Sequence, residues 1–343
     1  MIKSFGLDIG VTTIKAISLD VEKGKFILNS YASLSAPSKG MLSESAFDQE
    51  EMVQAIKKVT ANLKNPGRNV NIALADNQVY TKVVDMPSLS DKELSLAIYW
   101  EAEQYIPVPL STITLVWTVL KRPQNPQISD EKMQVLMIGA PTLLINKYQK
   151  ILSSAGLNLV SLETEILSAI RTLTYSNSPQ SIIISIGAVN TSLAIIREGT
   201  LVFTYSIPTG GAAISRSIEA DFGLTPDQSD AFKKTYGISQ DGIGKEIGKS
   251  TEPILFSILS EVKKALAFYS EKYKDSVIQQ VLLSGGTAKL PGIDLFFASN
   301  LGIETVIADP WKKFGGQEIP KEILVSSSDY TIAIGLAMKG YEY

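Results

Sequence analysis

The sequence of 343 residues contains no cysteine and no histidine. The first absence excludes disulfides and thiolate metal sites, and it agrees with a reducing compartment without proving one. The second excludes Ser-His-Asp and Cys-His nucleophilic systems together with imidazole zinc sites. Any chemistry must therefore rest on carboxylates, lysines, hydroxyls and backbone groups. Phosphoryl chemistry tolerates such a set, because positioning, Mg²⁺ and charge neutralisation do most of its work. Long apolar runs are missing too: none reaches the roughly 18 residues that a membrane span needs. Met1 to Asp8 opens towards a strand and not a signal peptide, so a cytoplasmic protein without direct membrane insertion is expected. An excess of positive charge is also lacking, with 32 Lys and Arg against 35 Asp and Glu, which leaves no general field for nucleic acid. What the chain does have is 45% hydrophobic residues, enough for about two folded domains.

The most informative positive feature is an internal repeat. Phe5 to Leu19 is answered by Ile182 to Ile196, about 177 residues later. Each copy is a short apolar strand, a turn around a glycine (Gly10, Gly187) and a second apolar strand. Lys23-Gly24 and Glu198-Gly199 then supply matching hairpin turns into a third strand. Such a repeat predicts two related domains with a cleft between them. Turns rich in Gly, Thr, Ser and Asn can offer N–H groups and hydroxyls to a phosphate, which makes nucleotide binding the first expectation.

Between the copies, Asp48–Leu63 carries Met52, Val53, Ile56, Val59 and Leu63 at helical spacing, and Asn65-Pro66-Gly67 stops it. Strands follow at Val70–Leu74 and Val79–Val84. Ser90 and Glu93 form a capping box that opens a helix over Asp91–Tyr105. Strands at Thr112–Leu120 and Lys132–Gly139 flank a proline-rich hairpin tip at 122–127, and a helix at Thr142–Ala155 ends on Gly156. Residues 70–150 thus read as a β-β-α-β-β-α block that interrupts the first domain. Another helix is expected at Glu163–Leu173. Beyond the second copy come helices at Ala212–Phe222 and Thr225–Thr235, a polar loop at Gln240–Ser250 and a long amphipathic helix at Ile254–Tyr273. A strand at Ile278–Leu283 runs into Ser284-Gly-Gly-Thr287, followed by a helix at Ile293–Asn300, a strand at Glu304–Val306 and a last helix at Asp329–Gly340. This order specifies an α/β protein with two lobes.

Asp8 stands at a strand end beside the glycine turn, where a carboxylate can hold hydrated Mg²⁺ while Thr12, Thr13 and nearby amides meet phosphate oxygens. Lys15 would neutralise phosphate charge. Gly187 to Thr191 forms the partner turn, and Gly285-Gly286 after a strand suits close approach to a purine or ribose. Gly210-Gly211 before a helix serves equally as a cap.

Here a resemblance becomes specific. Asp8-x-Gly10 with Lys15, Ile186-Gly187-Ala188 with Thr191, Leu283-Ser-Gly-Gly286 with Leu290-Pro-Gly292, and Ile332-Ala-Ile-Gly-Leu-Ala337 resemble the two phosphate motifs, the adenosine motif and the second connecting motif of the actin-like ATPases. Met86-Pro87, Asp91 to Leu94, Ala97-Ile98 and Trp100 to Pro107 resemble the PilM family, cytoplasmic actin-like proteins of the type IV pilus inner-membrane platform.

The resemblance covers essentially the whole chain. It implies a two-lobed actin-like (ribonuclease-H-like) fold with a nucleotide cleft between the lobes and an inserted α+β subdomain. The corresponding division is a first-lobe core at 1–69, the insert at 70–150, a connecting region at 151–175, a second lobe at 176–328 and a C-terminal helix at 329–343 returning to the first lobe.

It implies ATP or ADP with Mg²⁺ as ligands. Asp8, Gly10, Thr12, Thr13 and Lys15 would surround phosphates and metal, with Asp8 on the metal, and Gly187, Asn190 and Thr191 would lie opposite. Gly210 and Gly211 match a nucleotide-contacting pair, Asp230 and Lys233 an acid–lysine pair near the ribose, and Gly285, Gly286 and Lys289 the adenosine loop. Glu163 matches an acid of the first connecting helix. One position departs from the pattern: Ser185 stands where the second phosphate motif has aspartate, which favours binding over hydrolysis.

The implied partner is the N-terminal cytoplasmic tail of a PilN-like membrane protein, with other pilus assembly-platform proteins beside it and self-association as an option. The location would then be cytoplasmic and peripheral to the inner membrane. Leu94, Ile98, Trp100, Tyr105 and Ile106 are candidate groove residues, with the insert's own core as their alternative role. An FtsA-like division protein and a small-molecule kinase of the same superfamily are the alternative functions.

Overall fold

The computed structural model describes residues 3–123, 131–239 and 241–341. Strand β1 (Phe5–Ile9) is buried along its whole length, and β2 (Thr13–Glu22) and β3 (Lys25–Ser35) return antiparallel beside it. Helix α1 (Ala46–Ala61) lays Met52, Val53, Ile56 and Val59 into the core on this meander, and β4 (Asn69–Leu74) runs back parallel to β1.

The chain then leaves the first lobe. Strand β5 (Tyr80–Met86), helix α2 (Asp91–Tyr105) and strands β6 (Ile113–Lys121) and β7 (Met133–Pro141) build a separate sheet in the order β5-β7-β6. The predicted capping box is present, with the Glu93 amide donating to Ser90 Oγ and the Ser90 amide to the Glu93 carboxylate. One face of the sheet packs Val84, Met133, Val135 and Met137 against Leu94, Ile98 and Ala102 of α2. The other face carries Val83, Leu136 and Ile138, which pack with Ile183, Ala194, Ile196 and Leu201 of the second lobe. The insert therefore leans on the lobe into which it is not inserted. Residues 124–127 of the expected hairpin tip lie outside the described residues.

Helix α3 (Thr142–Ser154) packs on α1, and β8 (Asn158–Thr164) adds parallel to β4 before helix α4 (Glu165–Leu173). This pairing differs from the sequence reading of 70–150. Strand β4 lies between β1 and β8 in the first lobe's sheet and α3 belongs to that lobe's core, so the separate sheet spans 80–141.

The second lobe repeats the plan. Strands β9 (Ser181–Ile186), β10 (Thr191–Arg197) and β11 (Thr200–Ile207) lead to helices α5 (Gly211–Phe222), α6 (Pro226–Tyr236) and α7 (Gly242–Lys272). Strand β12 (Gln280–Ser284), helix α8 (Ile293–Leu301) and strand β13 (Glu304–Ile307) complete it. The sheet order β11-β10-β9-β12-β13 matches β3-β2-β1-β4-β8 strand for strand. Even the irregularities recur: both hairpins bulge, at Ser18/Leu19 and Ile195/Ile196, and both turn through two residues of positive φ, Lys23-Gly24 and Glu198-Gly199.

The expected loop at Gln240–Ser250 is instead the start of α7. Its glycines signal a break, but Ile247, Thr251, Leu255 and Ile258 continue one buried stripe, and that burial outweighs the propensity cost. Residue 240 itself lies outside the described residues. Finally, helix α9 (Lys321–Leu324) leads to α10 (Thr331–Met338), which packs on β1, as expected for the last helix. Contact is so close at Gly6 that a Cβ there would sit 2.2 Å from the Ala333 carbonyl oxygen.

Candidate nucleotide site

The two glycine turns have the same internal geometry. Gly10 N–H donates to the Thr13 carbonyl at 3.0 Å, and Gly187 N–H donates to the Asn190 carbonyl at 2.9 Å. On the first copy, Asp8 and Lys15 are cross-strand neighbours, both largely buried, with Lys15 Nζ 3.8 Å from Asp8 Oδ2 and donating to Thr13 Oγ1 at 2.6 Å. Thr12 is exposed at the tip. Burial pushes the Asp8 carboxyl above its ordinary range, Lys15 opposes the shift and Asp329 reinforces it. On the second copy the equivalent pair is Ser185 and Ser192, with Ser284 next to Ser185 on β12. A row of hydroxyls thus replaces the charged pair.

Glu165, the first residue of α4, is where the two copies converge. Its carboxyl lies beside Asn190 from the second turn and in the field of Asp8 and Lys15 from the first. Burial raises its pKa most, the charges of Asp76 and Asp8 raise it further, and Asn190 and Lys15 pull it back. Asp76 is likewise pushed up by burial, against the hydrogen bonds it accepts. Sequence reasoning missed both acids. Asp76 comes just past the apolar strand β4, much as Asp8 stands near the end of β1, which was the available signal. Glu163, expected as an acid of the first connecting helix, instead lies in β8 and forms ion pairs with Arg171 of α4 and with Lys339 just past α10. The helix begins two residues later than the sequence suggested, so the acid at its start is Glu165.

The glycine pair at the start of α5 has a steric basis. Gly211 N–H donates to the Gly187 carbonyl at 2.9 Å and Ala212 N–H to the Ala188 carbonyl at 2.8 Å. A Cβ on Gly210 would lie 2.7 Å from the Gly187 oxygen, and one on Gly211 would lie 2.2 Å from Thr287 Oγ1. The pair therefore seats α5 on the second glycine turn. Thr191 Oγ1 donates to the Thr209 carbonyl at 2.7 Å, so this hydroxyl braces the same junction. Gly285 holds φ at +83°, with a Cβ position 2.5 Å from the Ile186 oxygen, and Gly286 opens the 3₁₀ turn Gly286–Lys289.

Two of the predicted lysines are held from below. Lys289 pairs with Asp329 at 2.5 Å. Lys233 is largely buried and donates to Ser215 Oγ at 2.7 Å beside the Gly211 carbonyl, whereas its partner Asp230 is half exposed and shared with Lys234. Residues of the first glycine turn, the second glycine turn and the α5 start are thus brought together, while Asp230 is half exposed.

Among the described residues, no group of three or more acids lies close enough to cage a metal alone. This suits Mg²⁺ carried on phosphates, which needs only one or two protein carboxylates and keeps most of its waters. Asp8 can supply one. The donor set fits a Mg-nucleotide: Lys15, the threonine hydroxyls of the first turn and the Asp8 carboxylate, with the Glu165 carboxyl close by.

Of the candidate groove residues, Leu94, Ile98 and Ile106 lie in the insert's core, as their alternative role required. Trp100 and Tyr105 are exposed, at 74% and 43%, and Leu96 and Tyr99 lie exposed on the same helix. No helix among the described residues is long and apolar enough to cross a membrane.

Known proteins resemble the chain at three levels. The structure of a PilM–PilN type IV pilus biogenesis complex superposes with a TM-score of 0.86 over all of this chain and 99% of that one, at 24% identity. MreB5 of Spiroplasma citri bound to ADP matches with a TM-score of 0.56, covering 98% of this chain and 95% of that one at 14% identity, which extends the likeness to the actin-like fold. The cell division protein FtsA of Enterococcus faecalis is 22% identical over 329 residues, 84% of this chain and 74% of that protein. The family model of the type IV pilus assembly protein PilM matches residues 6–341, and the chain belongs to that family.

Proposed function

We propose that this actin-like protein is an ATP-binding scaffold of type IV pilus assembly. In this reading Mg·ATP or Mg·ADP lies between the lobes, and the insert engages the N-terminal cytoplasmic tail of a PilN-like membrane protein. That partner would place the chain at the inner membrane. The observation that carries the nucleotide site is the convergence of both glycine turns on Glu165, with Asp8 and Lys15 from one and Asn190 from the other. Asp8 would carry hydrated Mg²⁺, Lys15 would balance phosphate charge, and Gly285 and Gly286 would let the nucleoside approach the backbone. The nucleotide supplies the negative charge that these groups await; the protein's part is to hold it and exclude water.

Weak or absent hydrolysis follows from the asymmetry between copies. Ser185 offers a hydroxyl where a second carboxylate would position a water, and its neighbours Ser192 and Ser284 spend theirs on Asp76 and Thr331. The partner reading is supported by the PilM family match and by the exposed Leu96, Tyr99 and Trp100 on α2, an apolar surface that a monomer rarely leaves uncovered. Calorimetry with Mg·ATP, followed by a synthetic PilN-like N-terminal peptide, tests both halves. Saturable nucleotide binding with negligible phosphate release, then peptide binding, is expected. No peptide binding in either nucleotide state would remove the scaffold reading.

A further inference from the structure

Asp76 is a buried carboxylate that belongs to neither glycine turn. It opens the 3₁₀ turn Asp76–Gln78, the two-way junction at which the chain leaves β4 of the first lobe and enters β5 of the insert. Its oxygens accept the Ile166 N–H at 3.1 and 3.3 Å, at the first turn of α4. Thr164, the residue at the N-cap of that helix, makes no side-chain cap bond, so Asp76 serves as the cap from about ninety residues away and favours the positive end of the helix. The same carboxylate accepts Ser192 Oγ at 2.6 Å from β10 of the second lobe. Ser192 Oγ in turn accepts Asn190 Nδ2 at 3.3 Å, from the second phosphate turn.

One side chain thus joins the root of the insert, the helix that presents Glu165 and the turn that would face phosphate. The apolar packing between insert and second lobe is non-directional and tolerates sliding. A hydrogen bond to a buried carboxylate does not, because breaking it leaves a charge without a partner. We propose that Asp76 is a positioning residue that transmits the seating of the second phosphate turn to the insert. It touches neither nucleotide nor partner, and acts through Ser192 on one side and β5 on the other. The proposal rests on the nucleotide reading above: a phosphate held at Gly187–Thr191 fixes Asn190 and Ser192, Ser192 fixes Asp76, and Asp76 fixes the first residues of the insert.

The test is amide hydrogen exchange on the full chain, with and without saturating Mg·ATP, read at Tyr80–Met86 and α2, alongside nucleotide affinity by calorimetry. In the wild type, nucleotide should slow exchange at Tyr80–Met86 by about tenfold, the scale of one charge-assisted hydrogen bond. Ser192→Ala should bind nucleotide within about threefold of wild type but lose most of that added protection, and Ser192→Thr, which keeps the hydroxyl, should restore it. Asp76→Ala breaks the same bond from the other end and must show the same loss, so either variant decides if the other fails to fold. Undiminished nucleotide-dependent protection in either variant overturns the proposal, as does a wild type that binds nucleotide with no change in the insert. A wild type that binds no nucleotide overturns the nucleotide reading itself, and the calorimetry separates that outcome from the others.

Discussion

Replacing Glu165 with glutamine removes a charge and keeps the shape. The carboxyl sits where Asp8, Asp76, Lys15 and Asn190 meet, and burial with the two like charges raises its pKa from 4.5 to about 8. A carboxyl whose folded pKa exceeds its unfolded one binds more protons when folded, so its contribution to stability is intact below about pH 4.5 and is lost as pH rises towards 8. Each pKa unit corresponds to about 1.4 kcal/mol, which sets an upper limit near 5 kcal/mol. Part of the side chain faces the cleft, so water screens the ionised form and an order of 1–3 kcal/mol is the working figure. With about 2 cal/mol/K of unfolding entropy per residue over 343 residues, that is a rise in Tm of about 1–4 °C. Thermal unfolding of nucleotide-free protein, followed by circular dichroism, should therefore show almost no difference between Glu165→Gln and wild type at pH 4 and a more stable variant at pH 8. A variant that is equally or less stable than wild type at pH 8 would refute the placement of Glu165 among the other acids.

Four other substitutions probe separate parts of the molecule. Asp8→Ala should weaken Mg·ATP binding by at least about tenfold in calorimetry, the scale of one charge-assisted contact, and the difference should shrink when EDTA removes the metal. Gly285→Ala places a Cβ 2.5 Å from the Ile186 oxygen at φ +83°, and should cost about 2–4 kcal/mol, read as a lower Tm. On α2, Ile98→Ala should cost about 2–4 kcal/mol of stability because Ile98 is fully buried. Trp100→Ala, on the same helix but exposed, should leave Tm within about 1 °C while lowering affinity for the PilN-like peptide by about tenfold.

The fold was legible in the sequence wherever a local signal carried it. The repeat of Phe5–Leu19 at Ile182–Ile196, the capping box at Ser90 and the glycine stops all have short-range causes, and the structure shows each of them. What stayed hidden depended on partners distant in sequence. Strand β4 reads as any apolar strand, and only its pairing with β1 and β8 assigns it to the first lobe instead of the insert. The glycines before Pro253 suggested a loop because propensity is local, whereas the burial of Ile247 that keeps α7 helical comes from the rest of the lobe. The same limit applies to the cleft. Asp8 announces itself beside Gly10, but Asp76 and Glu165 acquire their meaning from Ser192 and Asn190, more than a hundred residues and some two dozen residues away. For Gly210 and Gly211 the type of residue was readable and the reason was not: the first amides of α5 are spent on the carbonyls of Gly187 and Ala188.

Helix α10 sets an order on biosynthesis. The second lobe's strands and α5 to α8 lie within residues 181–307, one unbroken stretch that can close as soon as it has emerged from the ribosome. The first lobe cannot: β1 is made first, yet its Gly6 face waits for Ala333, and Asn71 waits to donate to the Leu336 carbonyl. During translation the earliest strand must therefore keep an apolar face uncovered while more than three hundred residues are added. The half of the molecule that carries Asp8 and Lys15 is synthesised first and sealed last.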